Sequence, residues 1–223
     1  MNLDELIEAH RDDDLDKQGI GWNRSMWEAV WSDAGLPGRG ALDDIDAEVA
    51  QHETIRRSWL RGLADGDAVR FLVATTIWGY GTFGRGVKAL KAMLGREDVD
   101  DHVSDMITAS RQDPASGFRS LFVGGKPRIP WLGIAYGTKV VHFAGYDHAN
   151  PRPLILDKRV FIGAQALGAE RVPDPAKYTT GNEYGRYCAW AEEVARRNGA
   201  RPDLVEYVLF LHGGDVRRSR RSR

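Results

Sequence analysis

The chain has 223 residues with 31 basic and 32 acidic side chains, a 42% apolar content and one cysteine. That length supports one domain or two small ones around a cleft, and the composition excludes wholesale disorder, collagen and a disulfide scaffold. With Cys188 alone there is no intramolecular disulfide, thiolate zinc site or four-cysteine iron–sulfur cluster, and the six histidines show no ligand spacing such as HExxH, so neither a metal nor another cofactor is expected. No stretch approaches the roughly 18 apolar residues of a membrane helix, and the opening MNLDELIEAHRDDD is acidic where a secretory signal is basic and then apolar. A cytoplasmic monomer without membrane contact is the expectation.

The near-zero net charge conceals an asymmetry. Residues 1–53 carry 14 acidic and 4 basic side chains, net −10, and the remainder carries 18 acidic and 27 basic, net +9. Either the acidic first segment packs on a basic remainder, or a basic face is aimed at a polyanion. The ending RRSRRSR adds Arg217, Arg218, Arg220, Arg221 and Arg223, and residues 217–223 read as a basic disordered tail after a helical region spanning 1–216.

In chain order, Leu42, Ile45, Val49, Ile55, Trp59 and Leu63 space an amphipathic helix over 42–63. Residues 67–78 are apolar on nearly all sides and predict a buried helix, stopped by Gly79, Gly81, Gly84 and Gly86. Helices follow over 87–94 and 99–110, with a short piece at 118–123 ended by Gly124 and Gly125. After Pro127 and Pro130, helices start near Gly137 and near Leu156. Residues 183–197 form another helix, and Asp203 N-caps a last one closed by Gly213 and Gly214. The best strand candidate, 153–156, is too short to seed a sheet. The expected fold is all-α.

Chemistry concentrates in residues 127–160, PRIPWLGIAYGTKVVHFAGYDHANPRPLILDKRV. A proline-interrupted turn leads into Gly137-Thr138-Lys139, where glycine permits close backbone approach and the amides of a helix start can hold a phosphate. Lys139 in a first turn would sit at the positive end of the macrodipole, which favours its neutral, nucleophilic amine. Asp157, eighteen residues on, follows an apolar run and precedes the next helix, so it could cap that helix while facing Lys139. On spacing alone the pair also reads as a solvated lysine and an ordinary N-cap.

The run Gly137-Thr138-Lys139-Val140, then Phe143-Ala144, then Leu154 to Asp157 and Val160, resembles the helix-hairpin-helix DNA glycosylases, most closely their 8-oxoguanine branch. The likeness extends to residues 71–86 and to DLVEYVLF in the final helix. It implies two helical subdomains flanking a DNA-binding cleft, with DNA as partner. Where the family hairpin reads Leu-Pro-Gly-Val-Gly, this chain has Gly133-Ile134-Ala135-Tyr136-Gly137, so Ala135 replaces a glycine and Tyr136 brings a ring. The resemblance gives Lys139 the role of Schiff-base nucleophile and Asp157 that of stabilising carboxylate. It gives DNA contacts to Arg128, Ala135, Tyr136, Gly137 and Thr138.

An everted base needs aromatic and polar walls, for which Trp78, Tyr80, Trp131, Phe143, Glu206, Tyr207 and Phe210 are the candidates. Phe143 is favoured because it stands one helical turn after Lys139. The function implied is excision of a damaged base, 8-oxoguanine first, with abasic-site lyase activity if Lys139 attacks. Three rivals remain: an antiviral glycosylase removing a hypermodified cytosine from phage DNA, a noncatalytic DNA-binding module, and a helical interaction protein.

Overall fold

The computed structural model describes residues 2–32 and 35–221. Twelve α-helices dominate the described residues: α1 (Leu3–Ala9), α2 (Arg24–Glu28), α3 (Ala41–His52), α4 (Arg57–Leu63), α5 (Ala68–Tyr80), α6 (Arg85–Leu94), α7 (Val99–Gln112), α8 (Pro114–Ser120), α9 (Ile134–Gly145), α10 (Lys158–Ala166), α11 (Gly181–Arg197) and α12 (Pro202–Arg221). Strand is limited to two antiparallel ribbons, β1 (Gly19–Ile20) with β2 (Ile55–Arg56) and β3 (Phe122–Val123) with β4 (Lys126–Pro127). The fold is all-α, as the periodicity requires.

Helix α5 explains its own place in the core. Phe71, Leu72, Val73, Ala74 and Ile77 are fully buried, and each large apolar side chain so placed stabilises the fold by about 1.5–3 kcal/mol. Asp67 caps its start, accepting from the Arg70 amide at 2.8 Å, and Gly81 ends it in a left-handed φ. The buried apolar side chains form one continuous cluster from Ile7 in α1 to Leu209 in α12.

Three boundaries differ from the sequence expectation, each for a structural reason. The helix expected over 42–63 is broken. Glu53 turns left-handed at φ 64°, and Ile55 leaves the helix to pair with Ile20. The interruption starts a new helix at Arg57 and sends that side chain inward. The expected stop at Gly213 and Gly214 is absent, because α10 and α12 touch backbone to backbone. A Cβ on Gly163 would lie 2.0 Å from the Leu209 carbonyl oxygen, and one on Gly213 would lie 1.9 Å from that of Arg159. These glycines are therefore contact residues in a continuing helix. It carries residues 217–221 of the expected disordered tail as helix; Ser222 and Arg223 lie outside the described residues. Asp203 is inside α12 rather than its cap, since Pro202 opens the helix.

The apolar run 153–156 is extended but joins no sheet. Side chains of two helices satisfy its backbone instead. Tyr184 accepts from the Leu154 amide at 3.1 Å and donates to the Leu154 carbonyl at 2.5 Å, and Tyr187 donates to Ile155 at 3.1 Å. Thr138 Oγ1 accepts from the Leu156 amide at 3.0 Å. Buried backbone groups must be paired, and this lattice does so without a strand partner.

Candidate active site

That lattice fixes the position of Asp157, the next residue. Asp157 N-caps α10, and both of its backbone bonds end on one oxygen: Oδ1 accepts from Arg159 at 2.8 Å and from Val160 at 3.0 Å. Capping therefore engages Oδ1 alone, so the N-cap role and a chemical role for the carboxylate are compatible.

Lys139 lies on the adjoining helix, 8% exposed, with its Nζ donating to the Ala135 carbonyl at 2.9 Å. Helix α9 begins at Ile134, so Lys139 is in its second turn and the expected dipole effect of a first turn does not apply. Burial does that work instead and pushes the ammonium pKa down. The nearby Asp157 and Glu206 carboxylates pull it back up, and the Arg57 guanidinium adds to the fall. Asp157 also acts electrostatically on Tyr136, Tyr187 and Glu206, so these side chains share one neighbourhood. The amine and the carboxylate are near enough to act on each other electrostatically.

The site is closed. Tyr136 stacks on Tyr80 with ring centroids 3.9 Å apart and planes 8° from parallel, and the Lys139 Nζ sits 5.3 Å from the Tyr136 ring. Gly79 allows this packing: a Cβ there would stand 3.0 Å from the Tyr136 ring and 3.1 Å from the Lys139 side chain. Tyr136 thus covers the lysine.

Of the expected base-pocket residues, Trp78 and Phe143 meet edge to face at 5.1 Å in the core, and Tyr80 stacks as described. Glu206 is 1% exposed and pairs with Arg57 at 3.2 and 3.4 Å, and burial lifts its carboxyl pKa to about 6. Phe210 lies 3.7 Å beneath the Arg159 guanidinium, beside the start of α10. Two of the expected residues stand apart from these. Tyr207 turns to α1, where His10 meets its ring at 6.1 Å. Trp131 points outward, 42% exposed at φ 68°, with the Lys88 ammonium 6.0 Å from its ring.

The expected DNA contacts divide in the same way. Ala135 and Tyr136 are half-buried in the first turn of α9, and Arg128 is half-buried beside Asp105 at 3.5 Å. Gly137 and Thr138 do not face outward. The Gly137 amide already donates to Gly133 at 2.7 Å, and Thr138 is fully buried with its hydroxyl donating to Ile134 at 2.8 Å. Their expected phosphate contact is corrected to internal bracing, since Thr138 ties α9 to the segment carrying Asp157. The free helix-start amides are those of Ile134 and Ala135.

Sequence reasoning missed Arg57, whose partner Glu206 lies 149 residues away. It is 2% exposed, its Nε has no partner, and its guanidinium lies 5.5 Å from the Trp78 ring. Tyr184 and Tyr187 were also missed, although their spacing of three placed them on one helix face. Among the described residues no three His, Cys, Asp or Glu side chains are grouped to hold a metal ion, and no helix is long and apolar enough to cross a membrane.

Lys139, buried in α9, and Asp157, at the start of α10, thus act on each other electrostatically inside an all-helical chain. The family described as "Putative 8-oxoguanine DNA glycosylase OGG-like protein" matches residues 13–210, and the chain belongs to that family. It is accordingly of the DNA glycosylase class, with DNA as its partner. No curated protein and no solved structure matches the chain.

Proposed function

We propose that the protein excises a modified base from DNA through Lys139, with 8-oxoguanine as the leading substrate. The observation that carries the reading is the burial of Lys139 beside Asp157. An amine whose pKa falls by desolvation is a better nucleophile near neutral pH, and a carboxylate in a poorly hydrated site stabilises the positive charge that develops on the deoxyribose.

DNA lies across the start of α9, with a phosphate at the Ile134 and Ala135 amides. The target nucleotide is everted, and the Tyr136–Tyr80 stack opens to admit it. The Lys139 Nζ attacks C1′ as the glycosidic bond breaks, and the base leaves with the bonding pair and takes up a proton. Asp157 accepts the proton lost by the amine. Ring opening gives a Schiff base on Lys139, and loss of a proton from C2′ then expels the 3′ phosphate, which is the lyase step. Phe210 and the Arg57–Glu206 pair border the base.

Borohydride trapping tests this directly. Wild-type protein is incubated with duplexes carrying 8-oxoguanine, uracil, an alkylated purine or glucosylated hydroxymethylcytosine, and a covalent complex is expected with the first and absent in Lys139→Gln. Trapping that survives the substitution removes the nucleophile. Trapping on the glucosylated cytosine alone transfers the same chemistry to phage DNA, and excision without trapping makes water the nucleophile.

A further inference from the structure

The first turn of α9 has a second face. Opposite the Tyr136 side, Ile134 lines a cavity of about 740 Å³ between the β3–β4 hairpin, the end of α8 and the segment before α11. Its walls include Phe122 and Tyr178, and its rim carries Arg119, Lys177 and Asn182. Tyr178 is 81% exposed, the most open large ring among the described residues, and it stands at the Gly124–Gly125 turn, where a Cβ on Gly125 would lie 4.0 Å from it. No carboxylate lines the cavity.

We infer that this cavity holds one unpaired nucleotide of the bound DNA, its base stacked on Tyr178 and Phe122 and its phosphate between Arg119 and Lys177. Three observations converge on that ligand. The volume suits a nucleotide, and a pocket of this size is otherwise an unusual feature to leave open. An exposed ring with cations beside it is the arrangement by which proteins bind unstacked bases without reading their sequence. The cavity is also continuous, through Ile134, with the helix start placed against the DNA above. An apolar ligand would leave both cations unused, and a nucleoside without phosphate would leave them unpaired. The inference rests on the DNA-binding reading but not on the chemistry of Lys139, which lies in the next turn of α9 and on another face.

The experiment is fluorescence anisotropy with a blunt duplex and with the same duplex extended by a four-nucleotide overhang containing 2-aminopurine. The overhang is expected to tighten binding on the order of ten-fold, with quenching of 2-aminopurine as it stacks. Tyr178→Ala should remove both the gain and the quenching and leave the blunt-duplex affinity unchanged; the side chain is exposed, so the fold is not at stake. Arg119→Gln with Lys177→Gln should weaken the gain and reduce its salt dependence. An overhang that gives no gain, or Tyr178→Ala weakening both DNAs equally, overturns the cavity assignment while leaving DNA binding standing. Absence of binding to either DNA overturns the DNA reading and this inference with it. A deoxynucleoside monophosphate that binds wild type at micromolar concentration, and not Tyr178→Ala, would reassign the cavity to a free nucleotide.

Discussion

Two clusters of ionisable side chains flank the start of α12, and they are built on opposite principles. Around Asp203 every charge is paired. Asp203 accepts from the Tyr146 hydroxyl at 2.6 Å and from Arg201 at 2.7 and 3.0 Å, and Arg201 with Arg61 also grips Asp16. These partners hold both carboxyl pKa values below the ordinary range. Around Glu206, three residues along the same helix, the balance is left open. Lys139 has a backbone carbonyl for its amine and no carboxylate within ion-pair distance among the described residues, and burial drives the lysine down and the glutamate up. A saturated cluster is a fastener. An unsaturated one holds charge in readiness for a ligand.

The largest expected effect separates the two at once. Lys139→Gln should abolish trapping, whereas Asp203→Asn should leave it intact. Next, Asp157→Asn should cut excision on the order of 10²–10³-fold, the usual cost of losing one electrostatic stabiliser of a transition state. Its stability should change by no more than about 0.5 kcal/mol, because asparagine caps a helix as well as aspartate does. Single-turnover excision and urea unfolding of the same sample read both quantities. Normal excision in Asp157→Asn would reduce that carboxylate to a cap. Asp203→Asn reverses the pattern: about 1.5 kcal/mol of stability is expected to go, since the Tyr146 hydroxyl and Arg201 lose a charged acceptor while Arg201 keeps Asp16, with single-turnover rates preserved. If excision fell instead, the fastener would belong to the site.

Much of this was legible in the sequence, and several exceptions share a cause. Helices α5, α7 and α11 follow from apolar spacing and their end signals, and the N-cap position of Asp157 follows from the run of chain around it. Several misreadings concern partners distant in sequence. Gly213 looks like a stop until α10 is packed against it. Thr138 looks like a phosphate ligand until Leu156 supplies the amide it accepts from. Ile55 continues a helical pattern until β1 offers a backbone to pair with. Arg57 carries no local signal at all, because its meaning comes from Glu206. Local periodicity records which face is buried, not what it is buried against.

The smallest effect sharpens the comparison most, because it reads the open cluster through its protons. His142 is fully buried beneath it, and desolvation together with Arg57 lowers its pKa from 6.5 to about 3. Its contribution to stability is present above pH 6.5 and is lost as pH falls, since only the unfolded chain takes up that proton. Glu206 has the opposite sign. Its pKa rises from 4.5 to about 6 on folding, so its contribution is present below 4.5 and lost as pH rises through 6. Between pH 6 and 4.5 the His142 slope, about 1.4 kcal/mol per pH unit, is opposed but not cancelled by that of Glu206, whose two pKa values lie close enough together to limit its slope to about 1 kcal/mol per pH unit. The pH dependence of urea unfolding across that window should therefore be shallower in the wild type than in a variant without Glu206. Glu206→Gln removes one arm, and its stability should fall by about 1.4 kcal/mol per unit as the solution is acidified. A variant no steeper than the wild type would mean that Glu206 ionises as an ordinary carboxylate, and that the Arg57 pair is as saturated as the fastener on the other side of the helix.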